Sequence, residues 1–359
     1  MRKRRFFKQF FSVLFLLLVF ALVSCVPNEQ DQKSTVHVLM PVYNAEKFIT
    51  LAIKSVAVQN HSNWKMLILD DGSTDNSVEK IKQFIDSHPD LKEKIHLQLG
   101  VKNVGVSKAR TRLIKWSKEL NKEAYILWLD ADNKFNDSSF IQRVIKQMQK
   151  TQADICIFNF SIIYDDENQK DNAIGLVKEK EMLAEIIEMI RSAPMQTVNP
   201  LELPNPMDIS SIDWVKCYAP NVEFPVPKDC PFENFVTMAM LLDAKKITAL
   251  PAEYEPIQYL RRSTSICGQR DPKHFTNDIL VQLQHYFDTV WNNNQNSKDL
   301  AKKAKMSKEF ILRKLAQYRQ TLEKIVEAKS HTDIDKKIIK IYQEKARILE
   351  AYISAKVAS

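Results

Sequence analysis

The sequence predicts an α/β domain, a mostly parallel sheet with helices on both faces, followed by a helical C-terminal extension. Three observations lead there. Short β-rich apolar runs alternate with segments of helical apolar spacing between residues 36 and about 129. Each run breaks into a loop containing Pro, Asp, Asn or Gly. Beyond residue 275 only helical spacing persists. Composition permits this architecture: 359 residues, 45% hydrophobic and 27% charged, with 18 Phe, 10 Tyr and 5 Trp, can bury at least one large core and exclude a disordered chain. Five glycines exclude a Gly-rich or collagen-like polymer.

In chain order, Val36 to Met40 reads as a strand that stops at Pro41, and Glu46 to Gln59 repeats Phe48, Leu51, Ala52, Ser55 and Val56 at helical spacing. Lys65 to Leu69 is a second strand, interrupted by Asp70 to Asp75, after which Val78, Ile81, Phe84 and Ile85 form a helix face. Ile95 to Leu99 is a third strand, leading through Asn103 to Arg110 into a helix that ends near Leu120. Tyr125 to Leu129 is a fourth, ending in Asp130-Ala131-Asp132-Asn133. Ligands of parallel sheets sit beyond the carboxyl ends of the strands, where residues 41–44, 70–75 and 130–133 all fall. Two carboxylates at i and i+2 just past a strand suit a hard divalent cation, because Mg²⁺ or Mn²⁺ takes one or two protein carboxylates and completes its shell with phosphate oxygens.

Ala153 to Ile163 reads as a further strand, Met182 to Ile190 as an amphipathic helix, and residues 194–206, with four prolines, as a loop over the site. Val236 to Leu242 is helical in pattern. Phe275 to Trp291 is an amphipathic helix, residues 292–296 a polar break, and two more helices with basic outer faces follow, carrying Phe310 to Ile325 and Ile334 to Val357. Those basic faces suit either solvent or an anionic lipid surface.

The net charge of +8 is unevenly placed. Residues 1–25 hold five basic and no acidic residues, and residues 298–359 hold sixteen basic against eight acidic, so the ends contribute +5 and +8. The middle, 26–297, therefore nets 8 − 13 = −5, which argues against a nucleic-acid partner for the central domain. Arg2, Lys3, Arg4, Arg5 and Lys8 precede an uncharged apolar run from Phe10 to Val26, the layout of a signal peptide or signal anchor for membrane attachment. Leu22-Val23-Ser24-Cys25 closes it and resembles the lipobox of bacterial lipoproteins, which makes Cys25 the residue that would carry lipid. On this reading residues 1–25 are the address, 26–34 a polar linker, 35–270 the central domain and 271–359 the helical region. Basic residues before the apolar run favour a cytoplasmic N-terminus and an exported domain, whereas an apolar segment that does not cross would leave the domain inside, so the side of the membrane stays open. Cys156, Cys217, Cys230 and Cys267 show no zinc-ligand spacing and read as reduced, partly buried thiols, or as two disulfides if the domain is exported.

The residues at the four loops resemble a family. PVYN at 41–44, LDDGSTDNS at 69–77, NVGVSKAR at 103–110 and LDADN at 129–133, in this order and spacing, are similar to the family 2 inverting glycosyltransferases with the GT-A nucleotide-diphospho-sugar transferase fold. The resemblance covers roughly residues 35–270. It implies that Pro41 and Tyr43 border the nucleoside, that Asp71 accepts the uracil N–H with Asp70 the more structural of the pair, and that Arg110 lies near the nucleotide. It places Asp130 near the ribose and metal, and Asp132 on the Mn²⁺ or Mg²⁺ that bridges the diphosphate, where a cation offsets charge developing on the leaving group.

Further along, Asp213 to Tyr218 resembles the family's stretch near the acceptor, with Trp214 for sugar stacking or for the core. Pro227 to Phe235 resembles the segment with the family's Glu-Asp pair, whose Asp is the general base. Asn234 stands at that position here, and an amide takes no proton at neutral pH, so Glu233, or another carboxylate such as Asp229, has to substitute. Tyr259 to Gly268 resembles the closing segment, with Arg261 and Ser265 toward the diphosphate, and His274 is a candidate third metal ligand. The implied activity is inverting transfer of a sugar from a UDP-type nucleotide sugar to a glycan or lipid-linked acceptor. The alternative is a membrane-attached lipoprotein that binds nucleotide or glycan without turnover.

Overall fold

A computed structural model describes residues 34–165, 174–203, 215–222, 238, 240–261, 277–328 and 333–358. The first half alternates as its pattern demands: β1 (Val36–Val42), α1 (Ile49–Ala57), β2 (Trp64–Asp70), α2 (Ser77–Ser87), β3 (Ile95–Leu99), α3 (Val106–Leu120) and β4 (Tyr125–Trp128). Then follow β5 (Lys134–Phe135), α4 (Phe140–Thr151), β6 (Ile155–Ile157), β7 (Phe160–Tyr164), α5 (Ile174–Ser192), β8 (Lys216–Tyr218), β9 (Ile247–Ala249) and β10 (Ile257–Arg261). Three helices close the chain, α6 (Asn277–Asn293), α7 (Leu300–Ala328) and α8 (Asp333–Ala358). Among the described residues no helix is long and apolar enough to cross a membrane.

Among the described residues the main sheet has seven strands in the order β3-β2-β1-β4-β8-β6-β9, and a smaller sheet has the order β5-β10-β7. β1, β2, β3 and β4 run parallel, and β8 alone is antiparallel to its neighbours β4 and β6. The order doubles back at β1: β2 and β3 lie on one side of it and β4 on the other, so the carboxyl ends of β1 and β4 diverge into separate loops and leave a crevice between them.

Pro41 helps open that crevice. The strand runs through Pro41 to Val42 rather than stopping before it, since Pro41 still pairs in register with Leu69 of β2. Backbone groups alternate sides along a strand. Val42 accepts from Asp71 on the β2 side at 2.7 Å, and Leu39 accepts from Leu129 on the β4 side at 3.1 Å, so Pro41 faces β4 like Leu39. With no N–H to donate, Pro41 cannot continue that ladder.

Other departures have local causes. The apolar stretch 153–163 is two strands in two sheets, because Asn159 interrupts it: its Oδ1 accepts the N–H of Phe160 at 3.0 Å and its Nδ2 reaches the Ala252 carbonyl at 2.8 Å. The amphipathic segment 182–190 is the end of the longer α5, and the proline-rich segment 194–206 contains two single-turn helices, Pro194–Gln196 and Pro200–Glu202. Helix α4 carries a full apolar face, Phe140, Ile141, Val144, Ile145 and Met148, packed into the core under β6 and β9. Cys156 and Cys217 are both buried as free thiols, directly opposite each other on β6 and β8, and burial pushes both well above their ordinary range.

The main core lies on both faces of the large sheet, which is why β1 and β2 read as continuous apolar runs rather than alternating ones. A second core joins α6, α7 and α8 through Leu283, Phe287, Phe310, Ile311, Leu349 and Ile353, and it includes Leu201, Met238 and Leu242 from the preceding domain. Lys303 is buried at this junction, where it pairs with Asp243 at 2.9 Å and donates to Asn294 at 2.7 Å.

His37 is the one titratable side chain inside β1, fully buried, with Nδ1 2.8 Å from Ser117 Oγ of α3. Burial first, and then the charge of Lys65, lower its pKa from the ordinary 6.5 to about 4. Between those values the unfolded chain binds a proton that the folded chain refuses, so stability falls as pH drops from about 6.5 toward 4, by about 3 kcal/mol in full. His37→Gln should flatten this part of the profile when urea unfolding is compared at pH 7.0, 5.5 and 4.5.

Candidate active site

The loop after β1 and the loop after β2 are sewn together by their own polar side chains. Asn44 sits in the left-handed region at φ 50°, which Asn tolerates better than most residues. Its N–H donates to Ser73 Oγ at 3.0 Å and its Oδ1 accepts from Thr74 N–H at 2.8 Å. Ala45 N–H donates to Ser77 Oγ at 2.7 Å, and Glu46 N–H donates to Asp75 Oδ2 at 3.0 Å. In return Glu46 Oε2 accepts from the backbone and side-chain nitrogens of Asn76. These contacts consume Asn44, Ser73, Asp75 and Ser77 and leave Tyr43, at 49% exposure, presented at the end of β1.

The two carboxylates that end β2 are buried and divide their work. Asp70 Oδ2 accepts from the N–H groups of Gly72 at 3.0 Å and Ser73 at 3.1 Å, which turns the chain. Asp71 accepts from Val104 N–H at 3.1 Å and from Gly105 N–H at 2.9 Å, so its charge sits at the amino end of α3, where the helix dipole favours an anion. The loop after β3 comes close enough for this because Gly72 has no side chain. At φ 75° a Cβ there would stand 2.7 Å from the Lys102 carbonyl carbon. Gly100 is equally tight, with its N–H on the Asp70 carbonyl at 2.7 Å.

On the other side of the crevice, Asn133 N–H donates to the Asp130 carbonyl at 2.9 Å and closes a turn around Ala131 and Asp132. Arg110, projecting from α3 and largely buried, donates from Nη2 to Asp130 Oδ1 at 2.7 Å, and its guanidinium lies 5.0 Å from the centre of the Trp128 ring. Asp130 is thus held in place by a cation that is itself stacked on an indole. Asn133 Oδ1 accepts the N–H of Leu260 at 3.1 Å, which ties this turn to β10. Among the described residues no group of three or more His, Cys, Asp or Glu side chains encloses a metal. The turn fits the other kind of site, in which Asp132, with Asp130 beside it, offers one or two carboxylates and the ligand's phosphates supply the rest.

This geometry can now be set beside known proteins. Residues 37–200 match the family model of Glycosyl transferase family 2. The processive diacylglycerol beta-glycosyltransferase of Mycoplasma pneumoniae is 30% identical over 129 residues, 36% of each chain. The UDP-Glc:alpha-D-GlcNAc-diphosphoundecaprenol beta-1,3-glucosyltransferase WfgD of Escherichia coli is 31% identical over 128 residues, 36% of this chain and 46% of WfgD. The similar region thus spans less than half the length of either relative. Among solved structures, S. aureus TarS 1–349 in complex with UDP-GlcNAc superposes with a TM-score of 0.54 at 15% identity, over 89% of this chain and 90% of TarS 1–349. At that identity the likeness concerns the fold, which is the GT-A glycosyltransferase fold.

Within this fold Pro41, Tyr43, Asp71, Arg110, Asp130 and Asp132 all lie at the carboxyl edge of the sheet, Pro41 near the end of β1 and the others on the loops or helix start that border the crevice. Arg261 ends β10, beside the Asp130 turn through the Leu260 bond. It also faces Glu179 of α5, whose carboxyl burial pushes up while the charges of Lys314 and Arg261 pull it back. Glu233, Asn234, Asp229, Trp214, Ser265, His274 and Cys25 lie outside the described residues. Asn133 lay inside the LDADN motif without an assigned role, and two contributors carried no motif signal: Trp128 under Arg110 and Gly100 beneath the β2 loop. Only Gly100 announced itself, as one of five glycines.

Gly72→Ala forces a Cβ into the backbone of Lys102 at a positive φ and should cost about 2 kcal/mol or more. Urea unfolding measures it, and a loss below half that value would mean the β2 and β3 loops separate freely.

Proposed function

We propose that this chain transfers a sugar from a nucleotide-diphosphate sugar, a UDP-linked one, to a hydroxyl of a glycan or lipid-linked acceptor, with inversion at the sugar carbon. The observation that carries the reading is the gathering of the β1, β2 and β4 loops around one crevice. Tyr43 is presented at one wall and Asp132, with the Arg110-held Asp130, at the other. The family match over residues 37–200, and the glycosyltransferase names of the relatives, support the same chemistry.

In this reading Tyr43 and Pro41 flank the nucleoside, and Asp71 takes part in base recognition through the acceptor capacity its two backbone bonds leave. Asp132 and Asp130 hold a Mn²⁺ or Mg²⁺ ion, which when bound supplies positive charge to the diphosphate leaving group. Arg110 fixes Asp130, so the turn keeps its shape as ligand charge arrives, and Arg261 with Ser265 approaches the diphosphate. Inversion requires a single displacement, in which a base removes the proton of the acceptor hydroxyl as that oxygen attacks the anomeric carbon and the nucleoside diphosphate leaves. Glu233 is the base in this proposal, and Trp214 stacks on the acceptor.

A second reading has its own observation. Asn234 occupies the position where the resembled family carries its base, which suits a protein that binds nucleotide or glycan without turnover. Metal-dependent release of UDP from UDP-sugars by the purified chain separates the two. Clear UDP binding with no turnover on any donor and acceptor tried would sink the enzyme. Asp132→Ala should abolish the Mn²⁺-dependent part of UDP binding, and an unchanged affinity would refute the metal assignment. Glu233→Gln should lower turnover about 100-fold with UDP affinity retained.

Attachment to a membrane through residues 1–25, with lipid on Cys25, belongs to the same proposal and rests on the sequence alone. Intact mass of the protein from a lipoprotein-processing bacterium should show a diacylglyceryl-type adduct on a chain beginning at Cys25. A chain that keeps Met1 and gains no mass would exclude it.

A further inference from the structure

We infer that Asn133 is a ligand-binding residue of this site, with its side-chain Nδ2 held ready for an oxygen of the donor's diphosphate. The inference rests on the nucleotide-sugar reading and adds a residue to it. Asn133 is only 2% exposed. Its Oδ1 accepts from Leu260 N–H at 3.1 Å, and because that partner is a donor, the orientation of the amide is fixed by the bond itself. Nδ2 is then the free end. It is buried and, among the described residues, has no hydrogen-bond partner.

Buried amide nitrogens are almost always paired, and an unpaired one is a reason to look for what pairs with it. The group cannot ligate a cation, having no lone pair to give, so it does not serve the ion assigned to Asp132. It can only donate. A second buried donor follows in β10: Arg261, one residue past Leu260, has an Nε that is buried and, among the described residues, without a hydrogen-bond partner. The Asn133–Leu260 bond therefore joins the residue that carries one of these donors to the neighbour of the residue that carries the other, at a turn that also carries the carboxylates Asp130 and Asp132. Carboxylates alone repel a diphosphate. Donors beside them, together with a cation, make the same turn an anion site.

The Oδ1 bond gives Asn133 its second role. It joins the turn after β4, in the large sheet, to β10, the centre strand of the small one.

The test uses the full chain with Mn²⁺, and two probes, UDP and uridine, which differ only by the diphosphate. Asn133→Asp keeps the acceptor for Leu260 and the side-chain shape but has no NH₂ to donate. Asn133→Leu is neutral and near-isosteric and loses both contacts. Both variants should bind UDP at least tenfold more weakly and uridine as the wild type does, while hydrogen exchange at the Leu260 amide quickens only in Asn133→Leu. Unchanged UDP affinity in both variants overturns the inference. So does an equal loss for UDP and uridine, which would mean a general disturbance, and so does a loss confined to Asn133→Asp, which would mean charge repulsion. A wild-type chain that binds uridine and UDP equally well overturns the inference and leaves the nucleoside site standing. One that binds neither overturns the nucleotide-sugar reading as well.

Discussion

The buried carboxylate of Asp71 is the constraint on which the site depends. It directly follows β2, yet its acceptor bonds go to Val104 and Gly105, at the start of α3, while its own N–H goes back to Val42 at the end of β1. Three consecutive βα connections are thereby fixed to one point. A carboxylate is suited to this because it accepts several N–H bonds at once and favours the positive end of a helix. Helix α3, once fixed, delivers Arg110 to Asp130 on the far side of the crevice. The charge of one aspartate therefore helps position another on a different strand.

Much of what makes the site's sequence conspicuous turns out to be internal structure. Ser73, Asp75 and Ser77 bind the backbone of Asn44, Glu46 and Ala45 rather than standing free for a ligand, and Asp70 turns its own chain. Loops at the edge of a parallel sheet have many unpaired backbone groups, and short polar side chains satisfy them at close range. Among the described residues Tyr43 is half exposed at the end of β1, and Asp70 Oδ1, Asn133 Nδ2 and Arg261 Nε are buried without a hydrogen-bond partner. Polar density along a motif is thus a poor measure of ligand contact, whereas an unsatisfied buried atom is a sharper one.

The C-terminal helices share their core with the domain before them. Leu201, Met238 and Leu242 complete the apolar cluster of α6, α7 and α8, and Lys303 pairs with Asp243 across the junction. The basic surplus of residues 298–359 is therefore spread over helices whose apolar sides are committed to packing, with Lys302, Lys305 and Arg347 among the residues left on the surface. Glu179 adds a charged link between this layer and β10, in reach of both Lys314 and Arg261.

How much could be read from the sequence depended on the length and regularity of each element. The first four strands and three helices were legible, because each strand is an apolar run of four to seven residues between turn-forming loops. The crevice residues were legible through the resemblance of four ordered motifs. Helix α4 went unread despite its regular face, and β5, β8 and β9 are two or three residues long, too short for any period to show. Residues 153–163 looked like one strand because hydrophobicity cannot reveal that Asn159 will spend its side chain on its neighbours.

Sequence by itself determined the alternation, the kinds of group at each loop and the uneven charge, because these follow from local periodicity and composition. Only the tertiary structure decided that Pro41 lets β1 part from β4, that Arg110 belongs to Asp130, that Cys156 lies opposite Cys217, and that Asn133 joins two sheets with a donor to spare. Each of these is a contact between residues far apart in the chain, set by strand order and register, and no local pattern encodes which distant partner a side chain will meet.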